Sequence, residues 1–411
     1  DMTTGNGWIA NPTGYWAAFD ALVADAEARG VRLVPSLLFQ LFLFPDLSGE
    51  PLGRLFVPGS NTRALAEQYI TEVVTRYRDR PGIYFWELGN EMNLLADLDV
   101  SGCNVCPPNN NGCGSLAPSL GTPCQRSAAD NFFSCDSCRG VSSAQQDLGE
   151  FTAAIAQLIK GHDPTRLVAT GNGHPRPSAM HLARSPCPAC DWGTDSTAEY
   201  EQALAVLHPA AVDLVTVHHY PGPDAARFGS NGQAGLDLLR RAQAWAVANG
   251  KQLYVGEYGE ARTGSVTCGG STDVCNGDAD AIFTRRVLNA LVAERIPYSA
   301  LWAFDFFQFC AGVPSCYTVG AGEPIMEAYG LHDAAEHACL GQSDGAACPI
   351  GRCRAQVCQA PPVMNYGFDA PGDVGPFTVW TNCTGCVPGT ATTPAGALQM
   401  TSYDLPCTGG C

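Results

Sequence analysis

Four short stretches carry residues able to do chemistry. Tyr84-Phe85-Trp86-Glu87-Leu88-Gly89-Asn90-Glu91 runs an apolar segment straight into an Asn-Glu pair. Leu253-Tyr254-Val255-Gly256-Glu257-Tyr258-Gly259 closes a second apolar segment on a carboxylate, and Val215-Thr216-Val217-His218-His219-Tyr220 closes a third on imidazoles and a phenol. Leu301-Trp302-Ala303-Phe304-Asp305 closes the last. Two carboxyl groups facing one substrate can break a glycosidic bond. One protonates the leaving oxygen, while the other attacks the anomeric carbon or activates water. Asn90 beside the acid can bond a sugar hydroxyl, Tyr220 can orient a nucleophilic oxygen, and Trp302 offers a flat apolar face for a pyranose ring. Glu87 lies inside its apolar segment, as a buried paired carboxylate or a direct participant. Asn172 and His174 are candidates for lining the same cleft, with a structural role as the alternative, and Trp192 is either an outer sugar platform or a small loop core.

These residues must be positioned by regular elements. Trp16, Phe19, Leu22, Val23 and Ala26 recur at helical spacing before Gly30, and Val31–Leu38 then reads as a short buried strand. The same unit recurs. A helix marked by Leu65, Tyr69, Val73 and Tyr77 precedes a strand at Ile83–Leu88, and a helix at Leu148–Ile159 precedes Leu167–Thr170. Tyr200–Leu207 precedes Leu214–His218, Leu236–Ala248 precedes Leu253–Gly256, and Ile282–Leu291 precedes Ser299–Phe304. Near-continuous apolar strands are buried on both faces, which means a parallel sheet covered by helices. A doubly wound sheet and an eightfold barrel both satisfy this pattern, and both place their sites beyond the C-terminal ends of the strands.

The four strand ends together resemble glycoside hydrolase clan A, the retaining (β/α)8-barrel enzymes, and most of all family 5, the cellulase and mannanase family. The resemblance spans about residues 15–305. It implies an α/β fold of the (β/α)8 TIM-barrel type. Glu91 would be the general acid/base at the end of barrel strand 4 with Asn90 as its partner, and Glu257 the nucleophile at the end of strand 7. His218 and Tyr220 match the His-x-Tyr after strand 6, and Trp302 the platform after strand 8. It further implies double displacement on a β-1,4-linked polysaccharide, mannan or glucan, with no metal and no organic cofactor. The resemblance also shows a departure. If Ile83–Leu88 is strand 4, Asp1–Tyr15 supplies neither strand 1 nor strand 2, and the Arg usually carried on strand 2 is absent with them. About six strands are therefore expected, in a fragment that is incomplete at its N-terminus. The alternative is a carbohydrate-binding barrel that kept its cleft and lost catalysis.

The chain has 411 residues, 45% of them hydrophobic, enough for a sizeable core. With 23 Lys+Arg against 40 Asp+Glu, the net charge of −17 argues against nucleic acid and against an anionic membrane surface. No apolar run reaches the roughly 18 residues of a membrane span. A monomer acting on a polysaccharide or oligosaccharide is the expected state.

Twenty cysteines, nearly all outside the strands, fit an oxidising compartment and a secreted protein. Cys103/Cys106, Cys135/Cys138, Cys187/Cys190 and Cys383/Cys386 share Cys-x-x-Cys spacing, which zinc ribbons and thiol oxidoreductases also use. Their scatter through separate loops favours structural disulfides over a metal or redox site. A barrel domain is expected over residues 1–335, followed by a Cys-rich linker over 336–360. After Pro361-Pro362, residues 361–411 read as a partial β-rich segment. Its Asn365-Tyr366-Gly367-Phe368-Asp369 and Trp380 are similar to the start of a jelly-roll carbohydrate-binding module.

Overall fold

The structure, a computed structural model, describes residues 7–39, 43–50, 52–97, 144–185, 191–220, 236–268, 271–277, 281–304, 316–319 and 324–335, with short pieces between 339 and 359. Asp305, the four Cys-x-x-Cys pairs and the expected β-rich segment at 361–411 lie outside the described residues.

Helix α1 (Pro12–Ala28) starts where Asn11 accepts the Gly14 N–H at 3.0 Å and Pro12 takes the first turn. Gly30, at φ +68°, turns the chain out of it and toward β1 (Ser36–Leu38). A short helix α2 (Leu43–Ser48) and a 3-10 turn at Leu52–Phe56 follow; neither was signalled by periodicity. Ser60 caps α3 (Asn61–Tyr77) through the Arg63 N–H and ties it back through the Arg54 carbonyl. Strand β2 (Trp86–Gly89) leads to α4 (Gln145–His162), β3 (Val168–Ala169) and α5 (Ala179–Arg184). Helix α6 (Thr197–Leu207) opens on a reciprocal Ser196–Glu199 capping box. Then come β4 (Leu214–His219), α7 (Leu236–Ala248) and β5 (Gln252–Tyr258). The hairpin β6 (Thr263–Cys268) and β7 (Ser271–Asn276) precedes α8 (Ile282–Ala293), β8 (Tyr298–Leu301) and α9 (Pro324–Ala335). Three short strands, β9 (Ala347–Cys348), β10 (Gly351–Arg354) and β11 (Val357–Gln359), end the described chain.

Six strands form one sheet in the order β1-β2-β3-β4-β5-β8, every neighbouring pair parallel. Each of the six strands expected over residues 15–305 has its counterpart in this sheet and lies beside its neighbour in chain order. The sheet curls. Phe85, just before β2, packs edge-on against Tyr254 of β5 at 5.2 Å and Tyr298 of β8 at 5.5 Å, although neither strand neighbours β2 in the sheet. With Ala169, Leu214, Val34 and Leu167 these rings fill the concave side. This is a half-barrel, the incomplete form of the (β/α)8 architecture, and the open doubly wound alternative is set aside.

The convex side is covered by helices. Tyr69, Ile70, Val73, Val74 and Tyr77 of α3, with Phe151, Ile155 and Ile159 of α4, bury against Leu38, Trp86, Leu88 and Val168. Each large apolar side chain removed from water contributes about 1.5–3 kcal/mol. A buried polar tie sits among them, where the Trp86 indole N–H donates to Asp163 at 2.9 Å. Asp163 also accepts from Arg166 at 2.8 Å and from the Thr165 hydroxyl at 2.9 Å. The Arg166 guanidinium in turn holds the carbonyls of Arg80 and Ile83, at 2.6 and 3.0 Å, and that of Arg78. The turn leading into β2 is thereby fastened to the start of β3.

The chain divides into two compact units. The first comprises Asp1–Tyr220, Leu239–Tyr258 and Pro297–Leu301, and holds the six-stranded sheet. The second comprises Pro221–Leu238, Gly259–Ile296 and Trp302–Cys411. In the second unit β6 and β7 pair antiparallel, β9–β11 form a small antiparallel sheet, and His332 of α9 bonds Asn289 of α8 at 2.8 Å. Among the described residues, the disulfides Cys275–Cys316 and Cys339–Cys353 staple it. No described helix is long and apolar enough to cross a membrane.

Candidate active site

Side chains alternate across β2, so Trp86 and Leu88 face the helices while Glu87 and Gly89 face the concave side. The strand then breaks sharply. Glu91 takes a left-handed backbone at φ +48° and starts the 3-10 turn Met92–Leu95. Its N–H donates to the Gly171 carbonyl at 2.8 Å, just beyond β3. Gly171 is itself at φ +73°, and a Cβ there would lie 1.7 Å from the Gly89 carbonyl oxygen, so only glycine fits. Asn93 braces the turn. Its amide donates to the carbonyls of Gly173 and His174, both at 3.1 Å, and its oxygen accepts the Gly173 N–H at 3.0 Å.

The Glu91 carboxyl so placed meets residues from β4 and β5. His218 Nδ1 lies 2.9 Å from Glu91 Oε1 and 3.4 Å from Glu257 Oε2. The Tyr220 hydroxyl donates to Glu257 Oε2 at 2.7 Å. One donor atom from each of Glu91, His218 and Glu257 lies within 4.8 Å of the others. A Cβ on Gly256 would stand 3.0 Å from His218 Nε2, so glycine beside Glu257 leaves room for the imidazole. The structure thus brings Glu91, Glu257, His218 and Tyr220 together. Asn90 is half-buried at the end of β2, between Gly89 and Glu91. Trp302 follows directly on β8, belongs to the second unit and is half-buried.

The electrostatics are those of charges sharing a low-dielectric space. Burial pushes the Glu257 carboxyl up, against the pull of His218 and the Tyr220 hydrogen bond. Burial works against charge on His218, but the Glu91, Glu257 and Glu87 carboxyls outweigh it and its pKa is raised. Burial pushes Glu87 up to about 7, while His218 and Ser36 act the other way. A cation held by Glu91, His218 and Glu257 would compete with the His218 proton for the same carboxylate oxygens.

His219 points away from this group. Its Nδ1 lies 3.0 Å from His174 Nε2, and His174 Nδ1 lies 2.9 Å from the Tyr200 hydroxyl of α6. His174 is 9% exposed and Asn172 only 1%. Both are candidates for lining the cleft, and both are buried on the chain that follows β3. Gly171, Gly173 and Asn93 escaped the sequence reading, because their roles come from a neighbouring strand end that is remote in sequence. The nearest signal was the run Gly171-Asn172-Gly173 at a strand's C-terminal end.

A family model described as Cellulase (glycosyl hydrolase family 5) matches residues 58–306 of this chain. A probable mannan endo-1,4-beta-mannosidase F of Aspergillus flavus is 25% identical over 248 residues, covering 58% of this chain and 41% of that protein. The protein of the same description from Aspergillus oryzae matches equally. The chain therefore spans about two-fifths of the length of these curated relatives. Among solved structures, an endo-1,4-beta-mannanase from Rhizomucor miehei superposes with a TM-score of 0.47 at 14% identity, over 76% of this chain and 73% of that one. An endo-beta-1,4-mannanase from Thermotoga petrophila gives 0.48 at 16%, over 77% and 62%.

Proposed function

The chain belongs to glycosyl hydrolase family 5, and from that premise we propose that it is a retaining β-glycosidase, with Glu257 as nucleophile and Glu91 as general acid/base. The observation that carries the proposal is the position of His218, whose Nδ1 faces Glu91 at 2.9 Å and Glu257 at 3.4 Å. Only carboxyl groups this close can act on the two ends of one bond without a water between them. Retaining enzymes hold theirs about 5–5.5 Å apart and inverting enzymes about 6.5–9.5 Å. The spacing of no more than 4.8 Å between the facing oxygens supports the retaining geometry.

In the first step a Glu257 oxygen attacks the anomeric carbon as the glycosidic C–O bond breaks. Glu91 gives its proton to the departing oxygen. In the second step Glu91, now a carboxylate, takes a proton from water. That water attacks the same carbon, and the Glu257–sugar ester bond breaks. The Tyr220 hydroxyl keeps the Glu257 oxygen aimed, and His218 orients both carboxyl groups and offsets their mutual repulsion. Asn90 serves a sugar hydroxyl.

The substrate is a β-1,4-linked polysaccharide, mannan or glucan. Mannan is tested first because the curated relatives are described as mannan endo-1,4-beta-mannosidases. The disulfides Cys275–Cys316 and Cys339–Cys353 support action outside the cell, as a secreted protein. The deciding experiment follows reducing ends released from β-mannan, cellulose and xylan, with product anomers read by NMR. β-anomers formed first, and lost in Glu257→Ala, are the expected result. α-anomers first would overturn the retaining mechanism, and no hydrolysis of any polymer would overturn the enzyme reading.

A further inference from the structure

The sheet does not hold the two carboxyl groups equally. β4 and β5 pair from Leu214 opposite Gln252 to His219 opposite Tyr258, with one irregularity between Val217 and His218, and His218 stands opposite Glu257. The Tyr220 hydroxyl adds its bond to Glu257 at 2.7 Å. Glu257 and His218 are therefore fixed to each other by a strand ladder. Glu91 stands beyond Gly89, the last paired residue of β2, on a turn that no ladder reaches. Strand β3 beside it spans Val168–Ala169, and its register with β4 is Ala169 opposite Leu214. Support for Glu91 comes instead from the irregular segment 170–174. The Gly89 N–H donates to the Thr170 carbonyl at 3.3 Å, and the Glu91 N–H to the Gly171 carbonyl at 2.8 Å.

A Cβ on Gly173 would stand 3.4 Å from Glu91 Oε1, so this segment lies directly against the Glu91 carboxyl. The Asn93 amide takes the carbonyls of Gly173 and His174, which couples the Glu91 turn to whatever fixes His174. His174 is fixed from two sides. Its Nδ1 lies 2.9 Å from the Tyr200 hydroxyl of α6, and its Nε2 lies 3.0 Å from His219 Nδ1 at the end of β4. Tyr200 and His219 are buried, so water does not replace either bond. An apolar ring would fill the same space without the cost of burying two ring nitrogens. What the imidazole adds is a pair of bonds, one to α6 and one to β4.

We propose that His174 is a positioning residue for Glu91. By tying segment 170–174 to His219 and Tyr200, it keeps the Glu91 carboxyl at its 2.9 Å from His218 and so serves the proton-transfer half of the reaction, not the nucleophile. This rests on the reading of Glu91 as general acid/base. Loosening the tie leaves the β4–β5 ladder in place, and with it His218, Tyr220 and Glu257, while the Glu91 carboxyl loses its backing. Displacing a reacting group by about 1 Å costs on the order of 10²-fold in rate.

The test compares two substrates in the 411-residue chain. One is the β-1,4-linked polymer that it hydrolyses, whose leaving alcohol needs the Glu91 proton. The other is a dinitrophenyl β-bioside of the same sugar, whose phenolate departs without one. His174→Phe is expected to lose about 10–100-fold in kcat/KM on the polymer and to keep kcat/KM on the bioside. On the bioside kcat and KM should fall together, because the glycosyl-enzyme waits for Glu91 as base. His174→Gln, whose amide can still reach His219, should recover most of the polymer activity. Tyr200→Phe removes the hydroxyl alone and should give the same pattern at smaller amplitude, which keeps the test decisive if His174→Phe does not fold. Equal losses on both substrates would show that His174 only supports the fold, and no loss on either would show that Glu91 needs no such tie; both results overturn the inference. Glu91→Ala runs beside these variants. If it spares the bioside and His174→Phe does not, the positioning role alone falls. If Glu91→Ala loses both substrates equally, or the parent chain hydrolyses neither, the reading of Glu91 falls and the positioning role with it.

Discussion

The Gly171 carbonyl accepts the Glu91 backbone N–H at 2.8 Å, and this bond holds the catalytic candidate in a left-handed turn that a glutamate adopts only under constraint. The contact is reciprocal in shape. Gly171 can approach because it lacks the Cβ that would strike Gly89. Gly171→Ala is therefore expected to cost at least about 3 kcal/mol of stability, through both the clash and the positive φ. Any folded fraction should have lower kcat as Glu91 swings out of register with His218. Thermal melts and kcat on the purified variant check both.

The roles of the two carboxylates are separable by chemical rescue. In Glu257→Ala with added azide, the anion takes the place of the nucleophile and attacks the anomeric carbon of an activated β-glycoside, so an α-glycosyl azide accumulates. In Glu91→Ala the glycosyl-enzyme still forms from an activated substrate, and azide intercepts it to give the β-azide. Each unrescued variant should lose at least about 10³-fold in kcat on polymer. The anomer seen by NMR assigns the residue; the reverse pattern would exchange the two roles.

Burial raises the Glu257 pKa and the Tyr220 hydroxyl opposes that rise. As the proposed nucleophile Glu257 must be ionised, so activity is expected to be lost as pH falls through its pKa, and that acid limb should lie above the ordinary glutamate value. Tyr220→Phe removes a donor to the charged form. The pKa then rises further, and the acid limb of kcat/KM moves to higher pH. A limb that stays in place would remove Tyr220 as the partner of the ionised Glu257.

Asp163 is 2% exposed, so burial alone would raise its pKa; the Trp86, Arg166 and Thr165 donors reverse this and hold it at about 2. A carboxyl depressed in the folded state stabilises the fold above its unfolded pKa, and that contribution is lost as pH falls through the folded value. Roughly 2 kcal/mol should therefore disappear between about pH 5 and pH 2. Asp163→Ala should cost about 3 kcal/mol at neutral pH, since Arg166 and the Trp86 N–H lose their buried partner. Urea melts across that pH range measure both.

The sheet was legible because buried parallel strands are apolar at nearly every position. β4 is buried at all six of its residues, and a run such as Leu214-Val215-Thr216-Val217 announces that environment. Helix ends were legible where a single residue dictates the turn, as at Gly30. The short helices α2 and α5 were not, because a helix of six residues has too few positions to display a period. The hairpin β6–β7 carries Thr, Ser, Gly and Asp rather than an alternating apolar face, and so gave no strand signal.

Residue types alone determined that Glu91, His218, Tyr220 and Glu257 sit at or just past the C-terminal ends of β2, β4 and β5, since strand ends are local events and the chemistry of a side chain does not depend on its partners. Tertiary structure alone decided which of these meet. His218 faces the carboxylates while His219, one residue on, faces His174, because successive side chains of a strand point to opposite sides. The curl of the sheet brings β2, β4 and β5 to one point. The Gly171 turn aims Glu91 there, through a close approach between segments some eighty residues apart. Such an approach depends on the space left by other strands, and no single stretch of sequence records that space.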